Sequence, residues 1–238
     1  MDRGLGLFAG LNVLPKTAWF SSYSSRIMRG TNLAFLSELY RIWKEHGLLS
    51  DTINLDFTTT PYWGDDSHLE NNWSGKRHTA LASMLSVLAQ DPDTGIIVYS
   101  ETGIRHEQQD EVALEFLDFY RTKGKPDNLK YLVFDSKFTA YENLRKLEDA
   151  EVKFVTIRRR GKNIVDHLES LPKTAWKKTR VMNADGKGRE VKTYEEKVHI
   201  KDYGKPIRQI AITGHGKLKP ALIITNDTDI DLESLIRK

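Results

Sequence analysis

The sequence predicts an α/β protein: a mixed sheet with flanking helices, an N-terminal helical segment and a β-rich insertion. Three observations lead there. Ile53-Asn54-Leu55-Asp56-Phe57-Thr58-Thr59-Thr60 is rich in β-branched and aromatic residues, with no Gly or Pro before Pro61, so it reads as a strand. A second apolar run, Tyr131-Leu132-Val133-Phe134, ends in a carboxylate at Asp135, as the first carries one at Asp56. The elements in between and just after read as a three-strand meander followed by strand–helix–strand crossovers, the order of a mixed sheet.

Taken in order, residues 1–50 form a helical segment after an irregular opening broken by Gly4, Gly6 and Gly10, with Pro15 after Leu11-Asn12-Val13-Leu14. Leu33, Leu36, Leu39, Tyr40 and Trp43 recur at helical spacing until Gly47, a stripe that suits a core face. The acidic strand follows, then a polar loop from Pro61 to Gly75. Residues 80–89 are apolar, and the turn Asp91-Pro92-Asp93-Thr94-Gly95 leads into the strand Ile96-Ile97-Val98-Tyr99, so 80–89 is read as the other arm of a hairpin. His106 to Tyr120 is an amphipathic helix with Val112, Ala113, Phe116, Leu117 and Tyr120 on one face, closed by the linker 123–127. After the second acidic strand come a short helix from Tyr141 to Ala150, a strand from Val152 to Ile157, and a short helix from Asn163 to Leu171.

Residues 173–215 read as an antiparallel β element with strands over 191–200 and 206–213, and 220–225 as a return strand. Asp229 to Lys238 begins a helix. The resulting division is 1–50 helical, 51–172 α/β core, 173–215 basic β insertion and 216–238 return to the core.

Composition narrows the class. With 39% hydrophobic and 29% charged residues, the 238-residue chain is ordinary for a folded protein. It has no Cys, which excludes disulfide frameworks, thiolate zinc sites and cysteine nucleophiles and suits a reducing cytoplasm, the expected location. No apolar run approaches the ~18 residues of a membrane helix, and the N-terminus has no signal-peptide pattern. The net charge of +3 hides an asymmetry: residues 153–219 hold 18 Lys or Arg against 7 Asp or Glu, whereas residues 1–152 hold 16 against 22. A positive segment of that size points to a polyanion, and nucleic acid is the commonest. A solvated Lys-rich hairpin is the plainer alternative.

Asp is a poor strand residue, so two acids on two strands suggest a shared task. If the strands are neighbours, Asp56 and Asp135 can hold Mg²⁺ or Mn²⁺, hard cations that take oxygen ligands and bridge to phosphate. For DNA contact the candidates are Lys76, Arg77 and His78, the run Arg158-Arg159-Arg160, and Lys177, Lys178 and Arg180 of the basic insertion. Each has a surface-charge alternative. Trp73 and Trp176 are read as packing residues, with base stacking as the alternative. No Gly-rich phosphate loop, Ser-His-Asp set or zinc spacing is present.

These residues resemble a known family. Leu55-Asp56-Phe57-Thr58 with Tyr62, Gly75-Lys76-Arg77-His78, Phe134-Asp135-Ser136-Lys137-Phe138 and Leu222-Ile223-Ile224-Thr225-Asn226-Asp227 look like the catalytic region of a DDE transposase of the bacterial insertion-sequence type. The opening stretch from Leu7 to Lys16 resembles the segment before that core. The resemblance implies an RNase H-like fold, with Asp56 and Asp135 as the first two metal-binding acids. It also implies DNA cleavage and strand transfer with Mg²⁺ or Mn²⁺, transposon ends and target DNA as partners, and a homodimer. The family's third acid is a Glu on a helix that also carries a Tyr and an Arg. Here that pattern would fall beyond Lys238, and Glu233 comes too early, so the expectation is a truncated copy lacking its third acid. The alternatives are an inactive DNA-binding remnant or another RNase H-like nuclease.

Overall fold

A computed structural model describes residues 17–24, 26–64, 68–123, 129–182, 188–216 and 219–237. The opening motif 7–16 and the acids Asp65 and Asp66 lie outside the described residues. The helices are α1 (Thr17–Ser24), α2 (Arg29–Glu45), α3 (Val112–Lys123), α4 (Tyr141–Asp149), α5 (Lys162–Ser170) and α6 (Leu232–Arg237). The strands are β1 (Thr52–Pro61), β2 (Asn71–Ser74), β3 (Thr79–Gln90), β4 (Ile97–Thr102), β5 (Tyr131–Phe134) and β6 (Lys153–Ile157), then β7 (Lys177–Met182), β8 (Gly188–His199), β9 (Pro206–Thr213) and β10 (Ala221–Thr225). Among the described residues no helix is long and apolar enough to cross a membrane.

All ten strands join one sheet in the order β2-β3-β1-β5-β6-β10-β9-β8-β7, with β4 also on β3. At its centre β4, β3, β1, β5 and β6 lie side by side. β1, β5 and β6 are parallel and β3 and β4 antiparallel. A hairpin pair on one side of the first strand and two crossover strands on the other is the RNase H-like arrangement. β10 then runs antiparallel to β6, and β9, β8 and β7 extend the sheet as an antiparallel meander. The strands of the 173–215 segment are thus continuous with the sheet.

Strand periodicity sends alternate residues to opposite faces. On one face Ile53, Leu55, Leu132, Phe134 and Phe154 meet Tyr40 of α2, Phe116 and Tyr120 of α3, and Leu144 and Leu147 of α4 in the main core. Phe116 and Phe154 are fully buried, each worth roughly 1.5–3 kcal/mol of transfer free energy. α5 covers the same face farther along, placing Leu168 on Ala211 and Leu222. The opposite face carries a smaller cluster of Tyr131, Val155, Val191, Ile210 and Ile212 under Leu235 of α6.

Two local readings change. The polar loop 61–75 contains a strand, β2, which forms because Asn71–Ser74 pair with Thr79–Ala82 of β3. The helix expected from His106 begins only at Val112. His106–Gln108 is instead a separate 3₁₀ turn, where the Gln108 side chain accepts from the Arg105 amide (3.1 Å). The turn after β3 is stapled by Asp91. Its Oδ1 accepts from the amides of Asp93 (2.9 Å) and Thr94 (3.0 Å), and its Oδ2 from the amide of Ser50 (2.6 Å).

Candidate active site

The two strand acids meet at the carboxyl ends of β1 and β5. Parallel register pairs Leu55 with Phe134, so Asp56 and Asp135 are the next step on each strand, with Cα atoms about 4.8 Å apart by strand spacing. Both point away from the main core, because Leu55 and Phe134 point into it. Asp56 is exposed, and among the described residues its carboxylate makes no hydrogen bond or ion pair. An acid in mid-strand is tolerated here because its face of β1 is open to solvent.

Asp135 is held more firmly. It caps a 3₁₀ turn over Ser136–Phe138, with Oδ1 accepting from the Lys137 amide at 2.7 Å. The turn is fastened to β6 by Thr156, whose hydroxyl donates to the Asp135 carbonyl (3.3 Å) and lies 3.0 Å from the Thr139 hydroxyl. Behind it Phe138 stacks flat on Phe57, with ring centroids 4.1 Å apart. Lys137 Nζ stands 5.9 Å from the Phe57 ring centroid, and Arg159 Nε donates to the Ser136 carbonyl at 3.2 Å. Lys137 and Arg159 are thus both held at the turn that follows Asp135.

The donor set fits a hard cation. Each acid keeps carboxylate oxygen that no described group uses, and Asn54, on the same face of β1, has a buried Oδ1 with no hydrogen-bond partner. Mg²⁺ typically takes one or two carboxylates and completes its shell with water and phosphate oxygen. Among the described residues no group of three or more His, Asp or Glu side chains is gathered to hold an ion.

The basic candidates scatter. Lys76, Arg77 and His78 sit exposed in the turn between β2 and β3, where the Arg77 guanidinium lies 4.4 Å from the Trp63 ring centroid. Arg158 is half-buried and donates to Gln209 Oε1, while Arg160 donates to the carbonyls of Lys219 (3.3 Å) and Pro220 (3.0 Å). Of the three, Arg159 stands beside Asp135. Lys178 and Arg180 share one face of β7 and Lys177 takes the other, because neighbours on a strand face opposite ways. Lys178 pairs with Glu190 at 3.0 Å, and Arg180 lies across Gly188.

No family model matches the chain, and no curated protein matches its sequence. Among solved structures it is similar to piggyBac transposase in a synaptic complex with hairpin DNA, with 14% identity and a TM-score of 0.46 over 79% of this chain. The chain spans about a third of that transposase, 36% of its length. It is also similar to the catalytic domain of human Endonuclease V, with 14% identity and a TM-score of 0.33 over 84% of this chain and 83% of that one. A second human Endonuclease V structure gives 12% identity and a TM-score of 0.31, covering 74% of this chain and 68% of that one. The RNase H-like assignment rests on the strand order itself.

The reading of both tryptophans as packing residues holds for one. Trp176 packs against Tyr194, with centroids 5.9 Å apart. Trp73 is 57% exposed, because it lies on the open face of β2. Two groups were given no role by the sequence reading, although Tyr62 and Asp227 stand in the motifs that carry the resemblance. Tyr62 and Trp63 are exposed beyond β1, and their position next to an acidic strand was the available signal. Asp227 is buried, and burial pushes its carboxyl up. Hydrogen bonds from Tyr131, from the Asp229 amide (3.0 Å) and from Lys153 (3.0 Å) overcome that and bring it down to about 2. Burial and the Asp227 contact both push the Tyr131 hydroxyl up.

Proposed function

We propose that this chain is the core of a DDE transposase of the insertion-sequence type, acting on phosphodiester bonds of DNA at Asp56 and Asp135. The observation that carries this is the parallel register of β1 and β5, which sets the two carboxylates side by side on an uncovered sheet face. Asp56 and Asp135 would together hold Mg²⁺ or Mn²⁺, which would supply activation of an attacking oxygen and stabilisation of the leaving one. Lys137 and Arg159, on the rim, bind the non-bridging oxygens of phosphates flanking the scissile bond and offset the negative charge that Asp56 and Asp135 put there. The Phe57–Phe138 stack and the Thr156 hydrogen bond fix the Asp135 turn, so the acid is positioned before DNA arrives. The segment 173–215 supplies further phosphate contacts through Lys178 and Arg180, which share a face of β7, with Lys177 on the other face.

A second reading is DNA binding without cleavage, favoured by the lack of a third acid beside the pair among the described residues. One experiment separates the two. Purified protein is incubated with labelled duplex DNA and Mn²⁺, and both binding and nicking are followed. Metal-dependent nicking that Asp56→Asn and Asp135→Asn each reduce by at least about a hundredfold, with binding retained, supports catalysis. Binding with no nicking in the parent chain supports the second reading. No binding at low salt sinks both.

A further inference from the structure

The open face that carries Asp56 continues outward along β1, β3 and β2, and it becomes aromatic. Ile53, Leu55 and Phe57 face the core, so Asp56, Thr58 and Thr60 face the other way, and Thr60 pairs with Met84. The pairing extends one step past β1, where the Tyr62 amide donates to the Ala82 carbonyl at 3.1 Å. On the other side of β3, Asn71 pairs with Ala82 and Trp73 with Ala80. Tyr62 and Trp73 therefore stand on either side of β3 near Ala82 and Ala80, on the same face as Asp56, two strand spacings and two residues apart, about 12 Å. Tyr62 is 47% exposed, Trp63 71%, Trp73 57% and Met84 39%.

Such a group of large exposed side chains on one arm marks a contact surface. Its chemistry selects the occupant. Arg77 lies over Trp63, Lys76 is its neighbour, and Glu70, one of the arm's three acids beside Asp65 and Asp66, is engaged by the His106 amide at 2.8 Å. Aromatic faces with cations beside them suit stacked bases whose backbone is anionic, and they suit every base alike. Duplex bases are already stacked on one another, so the faces are available to unpaired ones.

We infer that Tyr62 and Trp73 form a ledge that binds single-stranded DNA by base stacking, with Trp63 and Arg77 packed together beside it and Arg77 and Lys76 on its phosphates. The floor of Ala80 and Ala82 keeps the trough open, and the ledge leads straight to Asp56. An unpaired strand lying along it delivers its backbone to the acid pair, so the inference rests on the proposed action on DNA and adds a strand preference to it.

The test uses the full chain and an oligothymidylate of about twelve nucleotides, with tryptophan fluorescence and anisotropy as readouts and a duplex of random sequence in parallel. The expected result is quenching on binding, with Trp63→Ala and Trp73→Ala each weakening single-strand affinity about tenfold. Trp73→Phe keeps most of the affinity, and duplex affinity is unchanged in all variants. Both tryptophans are exposed, so unchanged melting curves exclude misfolding. Wild-type single-strand affinity in the alanine variants, with duplex binding intact, overturns the ledge and leaves the DNA reading standing. No binding of either nucleic acid by the parent chain overturns both. A dimer lost in the alanine variants, with DNA binding unaffected, identifies a second copy of the chain as the occupant and also overturns the ledge.

Discussion

Asp227 shows what a single buried carboxylate does in this protein. Its Oδ1 accepts from the amides of Asp229 and Ile230, its Oδ2 meets Lys153 and the Tyr131 hydroxyl, and its carbonyl accepts from Arg208. One side chain therefore ties β5, β6 and the turn leading to α6. Its folded pKa of about 2 lies below the ordinary value of 3.8, so its contribution is fully present above pH ~4 and lost as pH falls through ~2. The shift corresponds to roughly 2 kcal/mol. Asp227→Asn should lower stability by about 2–3 kcal/mol at pH 7. Urea titrations at pH 7 and pH 3 should show that deficit shrinking in acid. An equal deficit at both pH values would mean that the charge is not what stabilises the fold.

At the scale of elements, β2 is a strand made by its surroundings. Four residues with two asparagines have little strand propensity of their own. Asn72 supplies the anchor. Its Nδ2 donates to the Ser83 carbonyl at 3.0 Å and the Glu70 carbonyl at 3.2 Å, and its Oδ1 lies 2.9 Å from His106 Nε2. Asn72→Ala removes all three contacts and leaves a buried carbonyl short of a partner, at a cost of about 1–3 kcal/mol. Hydrogen exchange should then speed up at the amides of 71–74 and 79–82 while β5 and β6 keep their protection. If exchange in the arm is unaltered, backbone pairing alone holds β2. Apart from β2, β7 and the start of α3, the elements were largely legible. The strand ranges for β1, β5, β6, β9 and β10 match to within a residue or two, since each is a strongly patterned apolar run.

For the whole molecule, charge distribution makes the measurable prediction. Binding to duplex DNA should weaken steeply with salt, because each phosphate neutralised releases condensed counterions. Arg159→Gln should flatten the log–log salt slope by about one, whereas Arg158→Gln should leave it unchanged. Arg158 is occupied by Gln209 inside the sheet, and Arg159 reaches the surface beside Asp135. Equal effects of the two substitutions would show that Arg158 leaves Gln209 to meet DNA. Adjacent in sequence and identical in type, the two residues are distinguished only by what the fold places next to each.

The sequence by itself determined the repeating units of this protein. Periodicity is local, so the run from Ile53 to Thr60, the apolar strand before Asp135 and the stripe of Leu144 and Leu147 could be recognised without knowing their neighbours. The element order then made adjacency of the two acidic strands an expectation, and the register of Leu55 with Phe134 supplies it. Tertiary structure alone decided which faces are covered. The exposure of Trp73, the burial of Asp227 and the engagement of Arg158 by Gln209 depend on contacts between residues far apart in the chain. Those contacts set the local solvent, and it is the local solvent that decides whether a tryptophan packs or protrudes and whether a charge is paired or available.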